Sequence, residues 1–333
     1  MSTSRVLAWW DKHQIPLYLA AIAVGALAGL AAPQAAPGLE AAINPVLALL
    51  LFATFLAVPM GEIGRAFRDV RFLATVLVAN FALVPLLAYG LSRFVADDRA
   101  LLLGLLLVLL TPCIDYVIVF TGLAGGAQAR LLAAAPVLML VQMLLLPVYL
   151  FLFAGADVLA MVEITPFAEA FAVLIAAPLA AAALVQALAR RHRAGQIIEE
   201  IMAGAMVPLM MATLAVVVGS QIAAVGAQAT VLARLLPLYA AFVVLAVTVG
   251  RLAARTARLD VAATRAVMFS CATRNSLVVL PLALALPPAL GLAPLAVVTQ
   301  TLVELVAMVT LVRLVPKLVP DAAPSDTTPA AGC

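Results

Sequence analysis

Long apolar runs separated by short polar stretches are the dominant pattern along this chain of 333 residues. A helix needs about 20 apolar residues to cross the hydrocarbon core of a bilayer. Ten runs satisfy that length: residues 15–32, 44–63, 72–92, 99–124, 129–154, 164–189, 200–223, 231–254, 263–286 and 291–315. The pattern predicts an all-α integral membrane protein with ten transmembrane helices.

Composition supports this prediction and excludes a water-soluble fold. The chain is 66% hydrophobic and 11% charged, whereas soluble domains are about 45–50% apolar and about 25% charged. Residues 1–14 are polar and lack a small-residue cleavage site, which favours a retained N-terminus over a secretory signal. Residues 318–333 are rich in Pro, Ala and Thr and are predicted to form a disordered tail.

The distribution of basic residues predicts the orientation. With ten spans, both termini and every even-numbered gap lie on one side, which carries 15 of the 19 Lys and Arg residues. The other side carries Arg93, Arg99 and Arg234, and Arg274 falls within a span. Because short cytoplasmic loops carry the excess of Lys and Arg, we expect a multi-pass protein of the cell (inner or plasma) membrane with both termini cytoplasmic.

A shift of the sequence by 158 residues indicates an internal repeat. It superimposes Cys113 on Cys271, Gly61 on Gly219, Pro136 on Pro294 and Gln142 on Gln300. Two five-helix repeats, 15–154 and 164–315, would each contain an odd number of spans and therefore enter the membrane from opposite sides. Such inverted repeats are typical of secondary transporters, whose substrate sites lie near the bilayer midplane on interrupted helices.

The fourth and ninth spans have polar centres that are unusual for plain transmembrane helices. The fourth contains Thr111-Pro112-Cys113-Ile114-Asp115-Tyr116, and the ninth contains Ser270-Cys271-Ala272-Thr273-Arg274-Asn275-Ser276. Proline removes a backbone donor, and non-helical backbone at this depth is tolerated only inside protein or beside a wet cavity. We therefore predict that helices four and nine are broken and cross each other.

Three ionisable residues, Asp115, Arg274 and Glu304, are predicted to lie within spans, where charges usually face a cavity or one another. If spans four and nine cross, Asp115 and Arg274 form an ion pair. A purely structural clamp is the alternative for this pair, and a buried protonated acid is the alternative for Glu304. For Cys113 and Cys271 the alternative is a small buried apolar side chain.

These residues also carry a family resemblance. The segment TPCIDYVIVFTGLAGG (111–126), the region of Asn275 and residues 301–304 resemble the bile acid/sodium symporter superfamily, and within it the arsenite efflux permease branch. The resemblance implies that Cys113 and Glu304 serve As(III) transport. The chain departs from that branch because Ile114-Asp115-Tyr116 follows the cysteine and Arg274 replaces a neutral residue, which also suggests a divergent subgroup with another substrate.

The sodium-coupled branch of the superfamily is the main rival. That resemblance implies oxygen ligands for Na⁺ at positions that fall on Val117 and Ile118, and on Ser270 and Arg274. Aliphatic side chains offer no ligand oxygen, and a guanidinium repels the ion. We therefore expect no Na⁺ site, with Arg274 occupying one such position as a built-in cation.

The resulting hypothesis is a secondary transporter that exports arsenite, with Sb(III) as a further candidate, by sodium-independent and proton-coupled antiport. Cys113 would bind As(III), with Cys271 as a second thiol, and Glu304 would carry the proton. The expected substrate-binding residues are Cys113, Glu304, Asp115, Arg274, Asn275, Cys271, Thr111, Tyr116 and Gln300.

A carrier for an organic anion or small metabolite is the alternative hypothesis, in which Arg274 pairs with a substrate carboxylate. An enzyme is not expected, because His13 and His192 lie outside the spans. The expected partners are a small molecule, a proton and membrane lipid, without nucleic acid and without a cofactor. The pattern leaves a monomer and a homo-oligomer equally open.

Overall fold

The computed structural model describes residues 10, 13–57, 68–114, 116–155, 165, 169 and 171–320. Within these residues the regular elements are helical, and the β pairing is a single isolated antiparallel bridge between Pro112 and Arg274. Seven helices in the described part of the chain are long and apolar enough to cross a membrane, and three further apolar helices there are shorter. The chain is therefore a multi-pass membrane protein.

The helices of the N-terminal half alternate with short breaks. Their bounds are α1 Gln14–Ala31, α2 Ala36–Ala57, α3 Val70–Val78, α4 Val84–Ser92, α5 Arg99–Leu109, α6 Tyr116–Leu123 and α7 Gln128–Ala154. A π-helical turn, Ala79–Leu83, joins α3 to α4 without interrupting the helix axis.

The C-terminal half begins, in the part that the structure describes continuously, with a π-helical turn at Ala172–Ala176. It continues as α8 Ala177–Ala189, α9 Arg193–Ala227, α10 Ala229–Leu232, α11 Leu235–Thr256, α12 Val261–Ala272, α13 Ser276–Leu284 and α14 Leu292–Leu318. Short 3₁₀ turns occupy Pro33–Ala35, Arg93–Val95 and Pro288–Leu290.

Several helices extend beyond the apolar runs that predicted them. Helix α9 begins at Arg193, where the sequence predicted residue 200, and α2 begins at Ala36, where it predicted residue 44. Bilayer thickness limits the apolar run, whereas backbone hydrogen bonding continues into the polar interface. The predicted end of the second span, most of residues 1–14 and the tail beyond residue 320 lie outside the described residues.

The helices pack as two bundles, each containing helices from both halves of the chain. The first bundle consists of α1, α2, α8 and α9, in which α9 contacts α1, α2 and α8. The second bundle consists of α3–α7 and α11–α14, in which α11 packs on α12 and α14, and α14 packs on α5 and α13. The bundles meet where α9 contacts α14 and where α2 contacts α13.

Small residues allow close backbone contact within the first bundle. A Cβ atom added to Gly25 would lie 2.5 Å from the carbonyl oxygen of Ala215, and one added to Gly29 would lie 2.2 Å from that of Gly219. Such small-residue interfaces let membrane helices approach closely and gain dispersion energy. Helices α1 and α9 are therefore held together by direct backbone packing.

Two helices of the second bundle are enclosed almost completely by their neighbours. Every residue from Ala100 to Leu109 in α5 and from Ala263 to Ala272 in α12 is buried. A helix that is buried on all sides belongs to the interior of a bundle. The ends of α5 and α12 therefore lie inside the protein, where their unpaired backbone groups need partners.

Candidate functional site

Two helix interruptions meet inside the second bundle. Helix α5 ends at Leu109 before α6 begins at Tyr116, and α12 ends at Ala272 before α13 begins at Ser276. The amide of Cys113 donates to the carbonyl of Thr273 at 3.2 Å, and the amide of Asn275 donates to the carbonyl of Thr111 at 2.8 Å. Residues 110–114 and 273–275, together called the crossing, thus satisfy part of each other's freed backbone.

Local sequence explains why both helices stop there. Pro112 has no amide hydrogen to continue α5. The hydroxyl of Thr111 donates to the carbonyls of Leu107 and Val108, and that of Thr273 donates to the carbonyl of Phe269 at 2.8 Å. These hydroxyls are additional donors to carbonyls of the last turns, and those of Phe269 and Val108 also accept the backbone amides of Thr273 and Thr111.

The guanidinium of Arg274 lies at the C-terminal ends of both interrupted helices. It donates to the carbonyls of Ser270 at 2.6 Å and Cys271 at 2.7 Å in α12, and to that of Leu109 at 3.3 Å in α5. The side chain is completely buried. Because helix C-termini carry partial negative charge, the cation stabilises both ends at once.

Asn80 completes the surroundings of this cation, and sequence reasoning missed it. Its Oδ1 accepts from Arg274 Nη2 at 2.8 Å, while its Nδ2 donates to Ser270 Oγ at 2.9 Å and to the carbonyl of Val76 at 3.1 Å. Asn80 lies in the π-helical turn of the third predicted span, and π turns often occur at functional positions. The sequence feature that could have identified Asn80 is a single amide side chain within an otherwise apolar run.

The carboxyl group of Glu304, on α14, lies at the opposite helix ends. Its Oε1 is 2.5 Å from the hydroxyl of Tyr116, which begins α6, and its Oε2 accepts from the amide of Arg274 at 2.9 Å, just before α13. Gln300 donates to the same Oε2. Glu304 therefore contacts residues at the beginnings of α6 and α13, where helices carry partial positive charge.

Charge and helix ends are therefore matched on the two sides of the crossing. The cationic side chain contacts helix C-termini, and the acidic side chain contacts helix N-termini. The ion pairs of the described residues include Arg130 with Asp69 and Asp260, and Arg234 with Asp97. The described contacts include no side-chain ion pair between Arg274 and Glu304.

Most of the predicted site residues converge on the crossing. Thr111, Cys113, Cys271, Arg274 and Asn275 lie in or beside it, and Tyr116, Gln300 and Glu304 contact it. Both thiols are completely buried. Asp115 lies outside the described residues, so its ion pair with Arg274 stays a prediction. No group of three or more His, Cys, Asp or Glu residues suited to a metal occurs in the described part of the chain.

Several buried polar atoms near the crossing have no hydrogen-bond partner in the described part of the chain. They are Oδ1 and Nδ2 of Asn275, Oγ of Ser276, Oε1 of Gln300 and Nε of Arg274. Buried polar groups without partners are uncommon in native proteins. They mark the beginning of α13 and the adjacent face of α14 as places where a polar solute or water would gain hydrogen bonds.

A small cavity of about 30 Å³ lies at the seam between the bundles. Its walls come from α7, from α13 and from the π-helical turn of the first bundle, and include Met143, Leu146, Phe171, Ile175 and Val279. Gln142 contributes the polar group, and its Oε1 has no partner among the described residues. This volume holds about one water molecule.

Ion pairs at the membrane ends connect the loops of the second bundle. Arg130 lies 2.7 Å from Asp260 and 3.5 Å from Asp69, which are the N-caps of α12 and α3. Partial burial raises the pKa of Asp260, but hydrogen bonds from the Ala263 amide and from Arg130 outweigh it and leave the pKa below its usual value. The hydrogen bond from Arg234 similarly lowers the pKa of Asp97.

Arg265, in α12, connects two more helices at the same end as Arg130. It donates to the carbonyls of Ala124 and Gly125, which follow α6, and to that of Val319, which follows α14. Gly125 has a positive φ of 66°, a conformation that glycine adopts without strain. The interrupted helices are thus fixed at their outer ends as well as at the crossing.

Broken membrane helices that meet around buried ionisable groups are typical of secondary transporters. The family model described as "Sodium Bile acid symporter family" matches residues 44–228, more than half of the chain. The chain belongs to this family. No curated protein matches it.

The prediction at the level of the family is confirmed, and the arsenite branch stays a prediction. The matched region contains the first interruption with Cys113 and Tyr116, whereas the residues of the second interruption and Glu304 lie beyond it. The family match therefore says nothing about Arg274 and Glu304, and their roles are inferred from the geometry of this chain alone.

Proposed function

We propose that this protein is a sodium-independent, proton-coupled exporter of a small uncharged solute, with arsenite as the first candidate and Sb(III) as a second. The proposal includes ten transmembrane helices arranged as a 5+5 inverted repeat, with both termini cytoplasmic. The observation that carries it is the buried guanidinium of Arg274 at the C-terminal ends of α5 and α12.

Sodium independence follows from what surrounds that guanidinium. Three backbone carbonyls and the Oδ1 of Asn80 converge on it, and oxygens at half-helix C-termini are the ligands that transporters use for coupling cations. Because a side chain cannot dissociate, its positive charge satisfies these oxygens permanently. An external Na⁺ is then neither needed nor easily accommodated at this position.

Proton coupling is assigned to Glu304. It is the buried carboxylic acid among the described residues, and it contacts both interrupted helices through Tyr116 and the amide of Arg274. A group whose charge changes at this position alters the interactions that hold α6 and α13 together. Protonation and cargo binding would therefore favour different arrangements of the crossing.

The cargo assignment depends on Cys113 and the unpartnered polar atoms beside it. A soft thiolate is a suitable ligand for a thiophilic element, and Cys271 supplies a second thiol in the last turn of α12. Asn275 and Ser276 offer hydrogen bonds to the hydroxyl groups of As(OH)₃. Since Cys113 is completely buried, cargo would reach it when the two bundles move apart.

Everted membrane vesicles test the proposal directly. With an imposed proton gradient, we expect As(III) accumulation that is unchanged when choline replaces Na⁺. Cys113→Ser should abolish accumulation, while Cys333→Ser, which removes the thiol near the C-terminus, should not. Wild-type accumulation by Cys113→Ser, or a strict requirement for Na⁺, would contradict the proposal.

A small organic solute is the second candidate cargo. The lining of the seam cavity favours it, although the volume described there holds only about one water molecule and would have to widen when the bundles move apart. Apolar side chains and one amide line that space, which suits a partly apolar molecule better than an oxyacid. An organic anion that pairs with Arg274 is less favoured, because four oxygens already accept hydrogen bonds from Nη1 and Nη2 of its guanidinium, which leaves Nε without a partner among the described residues. Proton-dependent transport of a neutral organic solute, without As(III) transport, would support this candidate.

A further inference from the structure

The hydroxyl of Tyr116 lies within hydrogen-bond distance of two oxygen atoms but has only one hydrogen to donate. Its oxygen lies 2.5 Å from Oε1 of Glu304 and 3.0 Å from the carbonyl oxygen of Arg274. A phenolic hydroxyl carries one hydrogen and accepts through its lone pairs. If Glu304 were ionised, one of these two contacts would contain no hydrogen and would bring two lone pairs together in a buried place.

A proton on Oε1 of Glu304 gives each contact one hydrogen. The acid then donates to the oxygen of Tyr116, and the hydroxyl of Tyr116 donates to the carbonyl of Arg274. Oε2 becomes the carbonyl-like oxygen and accepts the amide of Arg274 at 2.9 Å together with the amide group of Gln300. The described geometry therefore corresponds to the protonated acid.

We propose that Tyr116 is a positioning residue that couples the protonation of Glu304 to the closure of the crossing. The inference rests on the proposed proton coupling and is independent of the cargo. When Glu304 releases its proton to water, the hydroxyl of Tyr116 turns to donate to the carboxylate. The carbonyl of Arg274 then loses the donor that the described contacts provide.

The hydrogen bond to the carbonyl of Arg274 is lost at a tightly packed position of the crossing. The carbonyl belongs to the residue between α12 and α13, and Arg274 is completely buried. A buried acceptor without a donor is destabilising. Release of the proton therefore weakens the closed crossing, and binding of a proton restores it, while the number of protons on Tyr116 stays at one throughout.

Other groups around Glu304 do not replace Tyr116 in this role. The titratable or charged groups at this depth, on the described elements packed against α14, are Cys113, Cys271, Tyr239 and the guanidinium of Arg274. The hydroxyl of Tyr239 donates to the carbonyl of Ala296 at 2.9 Å, and the guanidinium contacts the helix C-termini instead. Tyr239 is thus a matched control, since it is also a buried tyrosine that donates to a carbonyl in the same bundle.

Infrared difference spectroscopy of the purified full-length protein in liposomes, without cargo, tests the inference. The carbonyl stretching band of a protonated carboxyl group should be present at neutral pH and absent in Glu304→Gln. In Tyr116→Phe the band should move to higher wavenumber, because the acid loses its acceptor. In Tyr239→Phe the band should stay in place.

Absence of a Glu304-dependent band at every pH, or an unchanged band in Tyr116→Phe, would overturn the inference. If Tyr116→Phe does not fold, thermal stability supplies the second measurement. The amide of Glu304→Gln can donate to Tyr116 as the protonated acid does, so this variant should be insensitive to pH where the wild type loses stability as pH rises. Identical pH dependence in both proteins would also overturn it, whether or not arsenite is the cargo.

Discussion

The two bundles solve the burial of polar groups in opposite ways. In the described residues of the first bundle, the buried polar side chains are uncharged: Thr54, Thr213, Ser220 and Gln221. The second bundle buries Arg265, Arg274 and Glu304. The first bundle is therefore held by close packing of small residues, whereas the second depends on specific partners for its charges. This difference predicts that mutations affect the first bundle through volume and the second through charge.

The second bundle also shows how a membrane protein buries two ionisable side chains without pairing them directly. Carbonyl groups at the C-terminal ends of α5 and α12 accept hydrogen bonds from the guanidinium of Arg274 and offset its charge. In the proposed protonated state, Glu304 needs no cation beside it.

The largest effect is expected from removing the cation of the second bundle. Arg274→Met leaves three carbonyls and Asn80 without their donor, and loss of one partner from a buried charged network costs about 3–5 kcal/mol. We expect a strongly lowered melting temperature and poor recovery from membranes, measured by fluorescence-detected size exclusion after heating. Arg234→Met, which changes an exposed arginine of the same bundle, should alter stability little.

A smaller loss of stability is expected when a large side chain is added at the close helix contact of the first bundle. Gly29→Leu places side-chain atoms against the carbonyl of Gly219, and overpacking of this kind costs about 1–3 kcal/mol. Thermal unfolding of the purified variant measures the loss. Gly38→Ala is the control, because a Cβ there meets no atom within 4 Å. Equal melting temperatures for Gly29→Leu and wild type would show that α1 and α9 are not closely packed.

The built-in cation can be tested by asking whether an external ion replaces it. In Arg274→Ala the carbonyls of α5 and α12 and the Oδ1 of Asn80 become available to Na⁺. A concentration ten times the dissociation constant would stabilise the variant by about 1.4 kcal/mol. We expect NaCl, compared with choline chloride, to raise the melting temperature of Arg274→Ala and not that of the wild type. Equal responses of the two proteins would argue against a cation site at this place.

The smallest effect concerns pH and a loop of the second bundle. The pKa of Asp260 is lowered in the folded protein, so its carboxylate stabilises the fold above its unfolded pKa of about 3.9. That contribution is lost as the pH falls through the folded pKa. Asp260→Asn retains an N-cap and should lose about 0.5 kcal/mol of stability at pH 7, allowing for solvent screening. Its melting temperature should approach that of wild type near pH 3.

Much of the architecture could be predicted from the order of apolar and polar residues. The positions of Pro112 and of the polar cluster at 270–276 indicated where helices would be interrupted, and both interruptions lie there. Helix ends were less accessible, as the early starts of α2 and α9 show. The inverted repeat and the cytoplasmic location of both termini stay predictions.

The sequence predicted which residues form the candidate site, but it did not predict which of them contact one another. Cys113, Tyr116, Arg274, Gln300 and Glu304 were all identified from their unusual polarity. The partners of Arg274 were not, because backbone carbonyls carry no sequence signal and Asn80 lies 194 residues away in the chain. Tyr116 and Glu304, 188 residues apart, likewise became neighbours only through folding.

By itself the sequence determined that this protein crosses the membrane many times, and it indicated where two spans are interrupted. Hydrophobic length and clusters of polar residues within an apolar run are local features, so they can be recognised without coordinates. Only the tertiary structure decided that Arg274 contacts helix C-termini and Glu304 contacts helix N-termini. Hydrogen bonds are directional and act over about 3 Å, so the partner of a buried charge depends on how distant helices pack.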